Sequence, residues 1–263
     1  MNKARKKYAE LMNKLRRMGK VVVALSGGVD SALLAKAARE ALGEEAQAVT
    51  VLTRYLHSRE AYEAEEFAQS QKLKHQFIHV AVPEGILSNP RDRCYQCKKV
   101  IFQSIVDLFS ENDFKVVEGS NLNDKNVYRP GLQALREMGI FSPLLECELT
   151  KNEIRLLAKE KGLEVWDKPS NACLLTRFPY DCAITPAELK TVEEAEEFIR
   201  NLGFKNVRVR VHGNLSRIEV EQEQAIGFWQ GEIAETTVRK LKELGFQFVT
   251  LDLEGSRSGC FDA

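Results

Sequence analysis

The run Val21-Val22-Val23-Ala24-Leu25-Ser26-Gly27-Gly28-Val29-Asp30-Ser31 constrains this chain more than any other stretch. Four β-favouring or apolar residues in a row, starting at Val21, read as a buried strand of a parallel sheet. Ser26-Gly27-Gly28 follows as a sharp loop. Asp30-Ser31 then opens an amphipathic run to Leu42, which reads as a helix. Amides at a helix N-terminus are unpaired and carry partial positive charge, so strand, loop and helix start together make an anion site. Two glycines let a phosphate approach the backbone with no Cβ in the way. Ser26, Gly27, Gly28, Val29, Asp30 and Ser31 are therefore the candidate anion-binding residues. The loop lacks the Gly-Lys-Ser/Thr ending of the commonest phosphate loops, and it is not the dinucleotide Gly-x-Gly-x-x-Gly.

The 263 residues allow one large domain or a medium one with a small one. Lys plus Arg and Asp plus Glu are both 38, so net charge is zero and no global footprint for nucleic acid exists. No stretch has the length of a membrane helix. The basic N-terminus (Lys3, Arg5, Lys6, Lys7) has no apolar signal core, and a cytoplasmic protein is expected. In that setting six cysteines point to metal or catalysis rather than to a disulfide framework.

Helical spacing over residues 2–18, Glu60 to Leu73 and Arg93 to Phe109 alternates with β-rich runs at Ala48 to Thr53, Gln76 to Val82 and Lys115 to Glu118. That alternation predicts an α/β domain, a parallel sheet with helices on both faces, over residues 1–183. Ligands of such sheets sit beyond the carboxyl ends of the strands, where Ser26, Thr53 and Gly119 all fall. After Trp166 prolines punctuate an irregular stretch. Helices over Ala187 to Leu202 and Thr236 to Leu244, with strands at Val207 to Val211, Arg217 to Val220 and Phe248 to Leu253, then predict a small α+β domain over residues 184–263.

Four constellations carry candidate chemistry. Cys94 and Cys97 form a C-x₂-C pair, which is half a metal site. Cys147, Cys173, Cys182 and Cys260 are the available third ligands, and three thiolates leave one iron of a four-iron cluster open. The plain alternative is two free thiols on a helix. Cys173 is followed four residues later by Arg177, a cation able to favour its thiolate; a buried inert cysteine is the other reading. In the polar stretch Gly119 to Gly131, Asp124 is suited to hold Mg²⁺ on phosphates and Arg129 to pair with one, against a solvated turn. Arg208 and Arg210 share one strand face, and with Arg257 they either line an anion pocket or are ordinary surface arginines.

Ser26 to Ser31 resembles the PP-loop, Ser-Gly-Gly-x-Asp-Ser, of the ATP pyrophosphatases, which split ATP between its α- and β-phosphates and pass AMP to a substrate. Further segments extend the likeness: Arg93 to Lys98, Tyr128-Arg129-Pro130-Gly131, Ser142-Pro143-Leu144, Cys173 to Pro179, Val207 to Val220, and Gly255 to Gly259. With them the chain resembles the LarE family of ATP-dependent sulfur transferases, which serve synthesis of a nickel-pincer nucleotide cofactor. The resemblance implies an adenine-nucleotide alpha hydrolase-like fold, ATP and Mg²⁺ as cofactors, and a pyridinium-3,5-dicarboxylate mononucleotide as substrate. One carboxylate is adenylated and becomes a thiocarboxylate, with Asp30, Cys173 and Arg177 as catalytic residues and Arg208, Arg210 and Arg257 on the substrate phosphate. One kind of member gives up the sulfur of a lone cysteine, here Cys173. The other holds a 4Fe–4S cluster on three cysteines, and Cys94, Cys97 and Cys173 match that kind. A homo-oligomer, hexameric in the family, is implied. The family motif Cys-Leu-Ala-Ser-Arg-Ile-Pro reads Cys173-Leu174-Leu175-Thr176-Arg177-Phe178-Pro179 here. The competing functions are another PP-loop enzyme, such as a tRNA thiolase or an ammonia-using amidase, and a non-catalytic nucleotide sensor.

Overall fold

The computed structural model describes residues 2–81, 83–126, 130–169, 171–257 and 261. They group into two compact units, Met1–Pro83 with Asp92–Ser170, and Glu84–Arg91 with Asn171–Ala263. The expected break at 183/184 thus falls inside the second unit, which takes in the Cys173 segment and the short stretch Glu84–Arg91.

In chain order the first unit contains α1 (Asn2–Met18), β1 (Val21–Ala24), α2 (Val29–Leu42), β2 (Ala46–Leu52), α3 (Ser58–Ser70) and β3 (Lys74–His79). After the stretch that belongs to the second unit come α4 (Arg93–Phe109), β4 (Lys115–Val117), α5 (Pro130–Glu137), α6 (Pro143–Glu146) and α7 (Lys151–Glu160). The four strands make one all-parallel sheet in the order β3-β2-β1-β4. Side chains alternate across it. Val21 and Val23 pack with Leu11 and Leu15 of α1, Leu33 and Leu34 of α2, and Ile154 and Leu157 of α7. Val22 packs the other way, with Phe102 and Ile105 of α4 and Leu135 of α5. Both faces of β1 are therefore dry, which is why its sequence is uniformly apolar. Leu11 and Leu15 are fully buried. At about 1.5–3 kcal/mol each, they hold an otherwise charged helix to the sheet.

No element was expected between Asn121 and Trp166, yet α5, α6 and α7 lie there. Pro130 and Gly131, read as loop, open α5, and proline suits the first helical turn. The start of α7 had a legible signal in Thr150-x-x-Glu153. Thr150 accepts from the Glu153 amide and the Glu153 carboxylate accepts from the Thr150 amide, a capping box.

The second unit contains α8 (Pro186–Asn201), β5 (Arg208–His212), β6 (Leu215–Glu219), α9 (Ile233–Glu243) and β7 (Phe248–Leu251). Its sheet runs β5-β6-β7, antiparallel then parallel. Among the described residues no helix is long and apolar enough to cross a membrane.

Candidate functional site

Ser26, Thr53 and Gly119 lie just past the ends of β1, β2 and β4, which are neighbours in the sheet. The glycine loop is braced from within. Ser31 Oγ accepts from the Ser26 amide at 3.2 Å, donates to the Gly28 carbonyl at 3.1 Å, and lies 3.1 Å from Ser26 Oγ. Ahead of the loop, Thr50 Oγ1 donates to the Leu25 carbonyl at 2.8 Å and sits 2.8 Å from His75 Nε2. Gly28 is the N-cap of α2, and no side chain caps that end. Gly27 has φ +71°, and a Cβ there would stand 3.0 Å from the Glu60 carbonyl oxygen. Gly27 is thus required by backbone conformation and contact, whereas Gly28, at an ordinary φ of −85°, stands at an open helix end.

Asp30 accepts from Asn121 Nδ2 at 3.3 Å and pairs with Lys151 at the start of α7. Asn121 in turn is held by Asp124, whose Oδ2 accepts the Asn121 amide at 2.9 Å. Asp124, the expected magnesium ligand, is buried with that oxygen engaged in closing its own turn. Arg129 lies outside the described residues. Sequence reading missed Lys151, because its helix was missed. It also missed Glu118, a buried carboxylate at the end of β4 that accepts from the Ser120 amide at 3.0 Å and from the Ser120 and Ser142 hydroxyls.

Gly119 packs against the start of α2. A Cβ on it would come 2.9 Å from the Ser31 amide nitrogen and 3.2 Å from the Asp30 carbonyl carbon, both backbone atoms that cannot swing aside. Gly119→Ala is therefore expected to displace the loop and weaken binding of a phosphate-type anion there roughly tenfold or more, in line with about 1–3 kcal/mol for overpacking. Calorimetric titration checks it, with Gly85→Ala as the neutral control because nothing stands within 4 Å of a Cβ there.

Cys94 and Cys97 occupy the first turn of α4. Cys94 is exposed; Cys97 is partly covered, with Tyr55 Oη 2.8 Å from its sulfur. Burial pushes the Cys97 thiol up, against the Tyr55 hydrogen bond. Two thiols one helical turn apart suit two corners of a thiolate-held cluster. Among the described residues no group of three or more His, Cys, Asp or Glu is gathered so as to hold a metal ion. Cys147 is buried, Cys182 donates to the Pro179 carbonyl at 2.9 Å, and Cys260 lies outside the described residues.

In the second unit Cys173 is half-buried and precedes a short 3₁₀ turn, Leu174–Arg177, with its carbonyl accepting from the Thr176 amide and hydroxyl. Arg177 is fully buried. Its Nε and Nη2 meet the Glu196 carboxylate at 2.7 and 3.1 Å, and its other donors reach the Ala172 carbonyl, Thr176 Oγ1 and Asn171 Oδ1. Arg210 forms a similar fork on buried Glu219, at 3.1 Å for each contact, and donates to the Thr176 carbonyl. Arg208 donates to the Arg257 carbonyl at 2.7 Å. Burial, then the charges of Arg177 and Arg210, hold the Arg208 guanidinium below its ordinary pKa. The structure thus brings Arg208 and Arg210 together over the backbone of Arg257, whose own guanidinium pairs with Glu254.

Residues 3–112 match the family model described as NAD synthase. An uncharacterized protein of Synechocystis sp. is 39% identical over 246 residues, 92% of this chain and 91% of its own. The pyridinium-3,5-bisthiocarboxylic acid mononucleotide synthase of Lactiplantibacillus plantarum is 35% identical over 262 residues, covering 96% of this chain and 92% of that one. An uncharacterized protein of Methanocaldococcus jannaschii is 33% identical over 257 residues, 96% of this chain and 98% of its own.

Proposed function

The chain belongs to the pyridinium-3,5-bisthiocarboxylic acid mononucleotide synthase (LarE) family of PP-loop enzymes, and on that premise we propose that it uses ATP to turn a carboxylate of a nucleotide-type small molecule into a thiocarboxylate. The carrying observation is the lysine-free glycine loop opening α2 with an uncapped helix end. That end binds phosphates through amides. A carboxylate oxygen attacks the α-phosphorus, the bond to the bridging oxygen breaks, and pyrophosphate leaves. The acyl adenylate then loses AMP to a sulfur nucleophile. Asp30, held by Lys151 and Asn121, and Asp124, in the adjoining turn, are the carboxylates for Mg²⁺ on the phosphates. Arg208, beside Arg210 and the Arg257 segment, takes the substrate phosphate, while the Arg210 fork stays on Glu219 and adds its charge to the pocket.

Cys94, Cys97 and Cys173 are the residues for the 4Fe–4S cluster in this reading. When bound, a cluster on three thiolates keeps one iron for a sulfide, the sulfur to be transferred. Within the second unit the segment after Cys173 is held by fully buried Asn89, whose Nδ2 donates to the carbonyls of Leu175, Phe178 and Pro179. In the rival reading the Cys173 thiolate attacks the acyl adenylate itself. Its Cβ–S bond then breaks as the Cα proton leaves, yielding dehydroalanine and the thiocarboxylate. Half-buried Cys173 keeps that reading open to test.

Incubation with ATP and a pyridinium dicarboxylate nucleotide is expected to release pyrophosphate, and Asp30→Ala to slow that release roughly ten- to hundredfold, the worth of about 1.5–3 kcal/mol from a charged hydrogen bond. Orthophosphate as the first product would overturn the reading.

A further inference from the structure

A diglycine is a poor phosphate cradle unless something fixes its peptide planes. With no Cβ on either side, the Gly27–Gly28 peptide is free to turn over, presenting its carbonyl oxygen instead of its N–H to an anion. In a trans peptide the carbonyl and the following N–H point in opposite directions. Whatever holds the Gly27 carbonyl therefore also aims the Gly28 amide.

Lys168 holds it. Its ammonium donates to the Gly27 carbonyl oxygen at 2.8 Å and pairs with Glu63 of α3. Glu63 is fixed from its other side by Arg59 at 2.7 Å, and the Lys168 carbonyl accepts from Arg155 of α7 at 3.0 Å. Burial works to raise the Glu63 carboxyl, but hydrogen bonds from Lys168 and Arg59 outweigh it and hold that carboxyl below its ordinary pKa. The next carbonyl, of Gly28, is tied by Ser31 Oγ and by the Ala32 amide at 3.0 Å, so the Val29 amide is aimed by the same logic.

Resting on the nucleotide-binding role proposed above, we propose that Lys168 is a positioning residue that clamps the Gly27 carbonyl, with Glu63 as its anchor, so that the loop amides stay turned toward the phosphates. The opposite assignment makes Lys168 itself a phosphate ligand, for which Glu63 competes. The two differ in the sign of one variant.

Equilibrium binding of MgATP, pyrophosphate and adenosine is to be measured on the full chain and on Lys168→Met, Lys168→Arg and Glu63→Gln. The clamp predicts that Lys168→Met weakens MgATP and pyrophosphate alike, roughly ten- to hundredfold for a charged hydrogen bond, and leaves adenosine unchanged. Glu63→Gln weakens them in the same direction, and Lys168→Arg restores part of the loss. Tighter MgATP binding by Glu63→Gln overturns the clamp and makes Lys168 a direct ligand. Wild-type binding matched by Lys168→Met also overturns it, and leaves the nucleotide role standing. A wild-type chain that binds no MgATP overturns the nucleotide role and the clamp with it.

Discussion

Cys173→Ala is expected to abolish thiocarboxylate formation while adenylation continues, seen as ATP–pyrophosphate exchange that survives the substitution. Both sulfur routes need this thiol, one as cluster ligand and one as nucleophile, whereas the glycine loop proposed to activate the carboxylate contains no cysteine. The loss is beyond simple weakening, since without a sulfur donor the adenylate has only water to meet. The routes separate at Cys94 and Cys97. If three thiolates hold a cluster, Cys94→Ala and Cys97→Ala each remove iron from anaerobically purified protein and end turnover. If Cys173 works alone, the double variant keeps one full turnover, after which the chain is lighter by about 34 Da, the H₂S lost in forming dehydroalanine. Mass spectrometry of the intact chain reads that difference directly. Thiocarboxylate formed by Cys173→Ala would remove this residue from both routes.

The second large effect is on stability. Arg177 and Glu196 are both fully buried and bonded through two nitrogens, and Glu196 also accepts the Val209 amide at 2.9 Å. Arg177→Met takes from the buried Glu196 carboxylate its two-nitrogen partner and leaves Arg200 at 3.8 Å, at an expected cost of about 3–5 kcal/mol. For a chain of this size that corresponds to roughly 2–4 °C in Tm per kcal/mol. The double change Arg177→Met with Glu196→Leu should recover part of this, short of all of it because the Val209 amide loses its acceptor. Denaturant unfolding of the two variants makes the comparison. A stable Arg177→Met variant with lost sulfur transfer would instead favour the expectation that Arg177 acts on the Cys173 thiol. Five side-chain donors taken up by Glu196, Ala172, Thr176 and Asn171 favour the strut.

Local chemistry made much of the architecture readable. An apolar run followed by glycines and a helix start has few solutions, because a strand dry on both faces must be central and parallel, and an uncapped helix end invites an anion. Hence β1, the loop and α2 stand where Val21 to Leu42 put them, and α4 matches the helix expected over Arg93 to Phe109 to the residue. The region from Asn121 to Trp166 failed for want of long periodic segments. It breaks into α5, α6 and α7, of 8, 4 and 10 residues, and short helices owe their stability to what they pack on. Only Thr150 and Glu153 gave that stretch away in advance.

What a charged residue does was decided by tertiary structure alone. Arg177, Arg208 and Arg210 look alike in the sequence, but Glu196 and Glu219 arrive from elsewhere to occupy two of them. Lys151 and Lys168 carry no motif, and gain their meaning from Asp30 and from the Gly27 carbonyl, more than a hundred residues away along the chain. Spacing along a chain reports periodicity and backbone freedom, which are properties of neighbours. The partner of a charge is a property of the fold, because burial selects whichever opposite group the packing brings within reach.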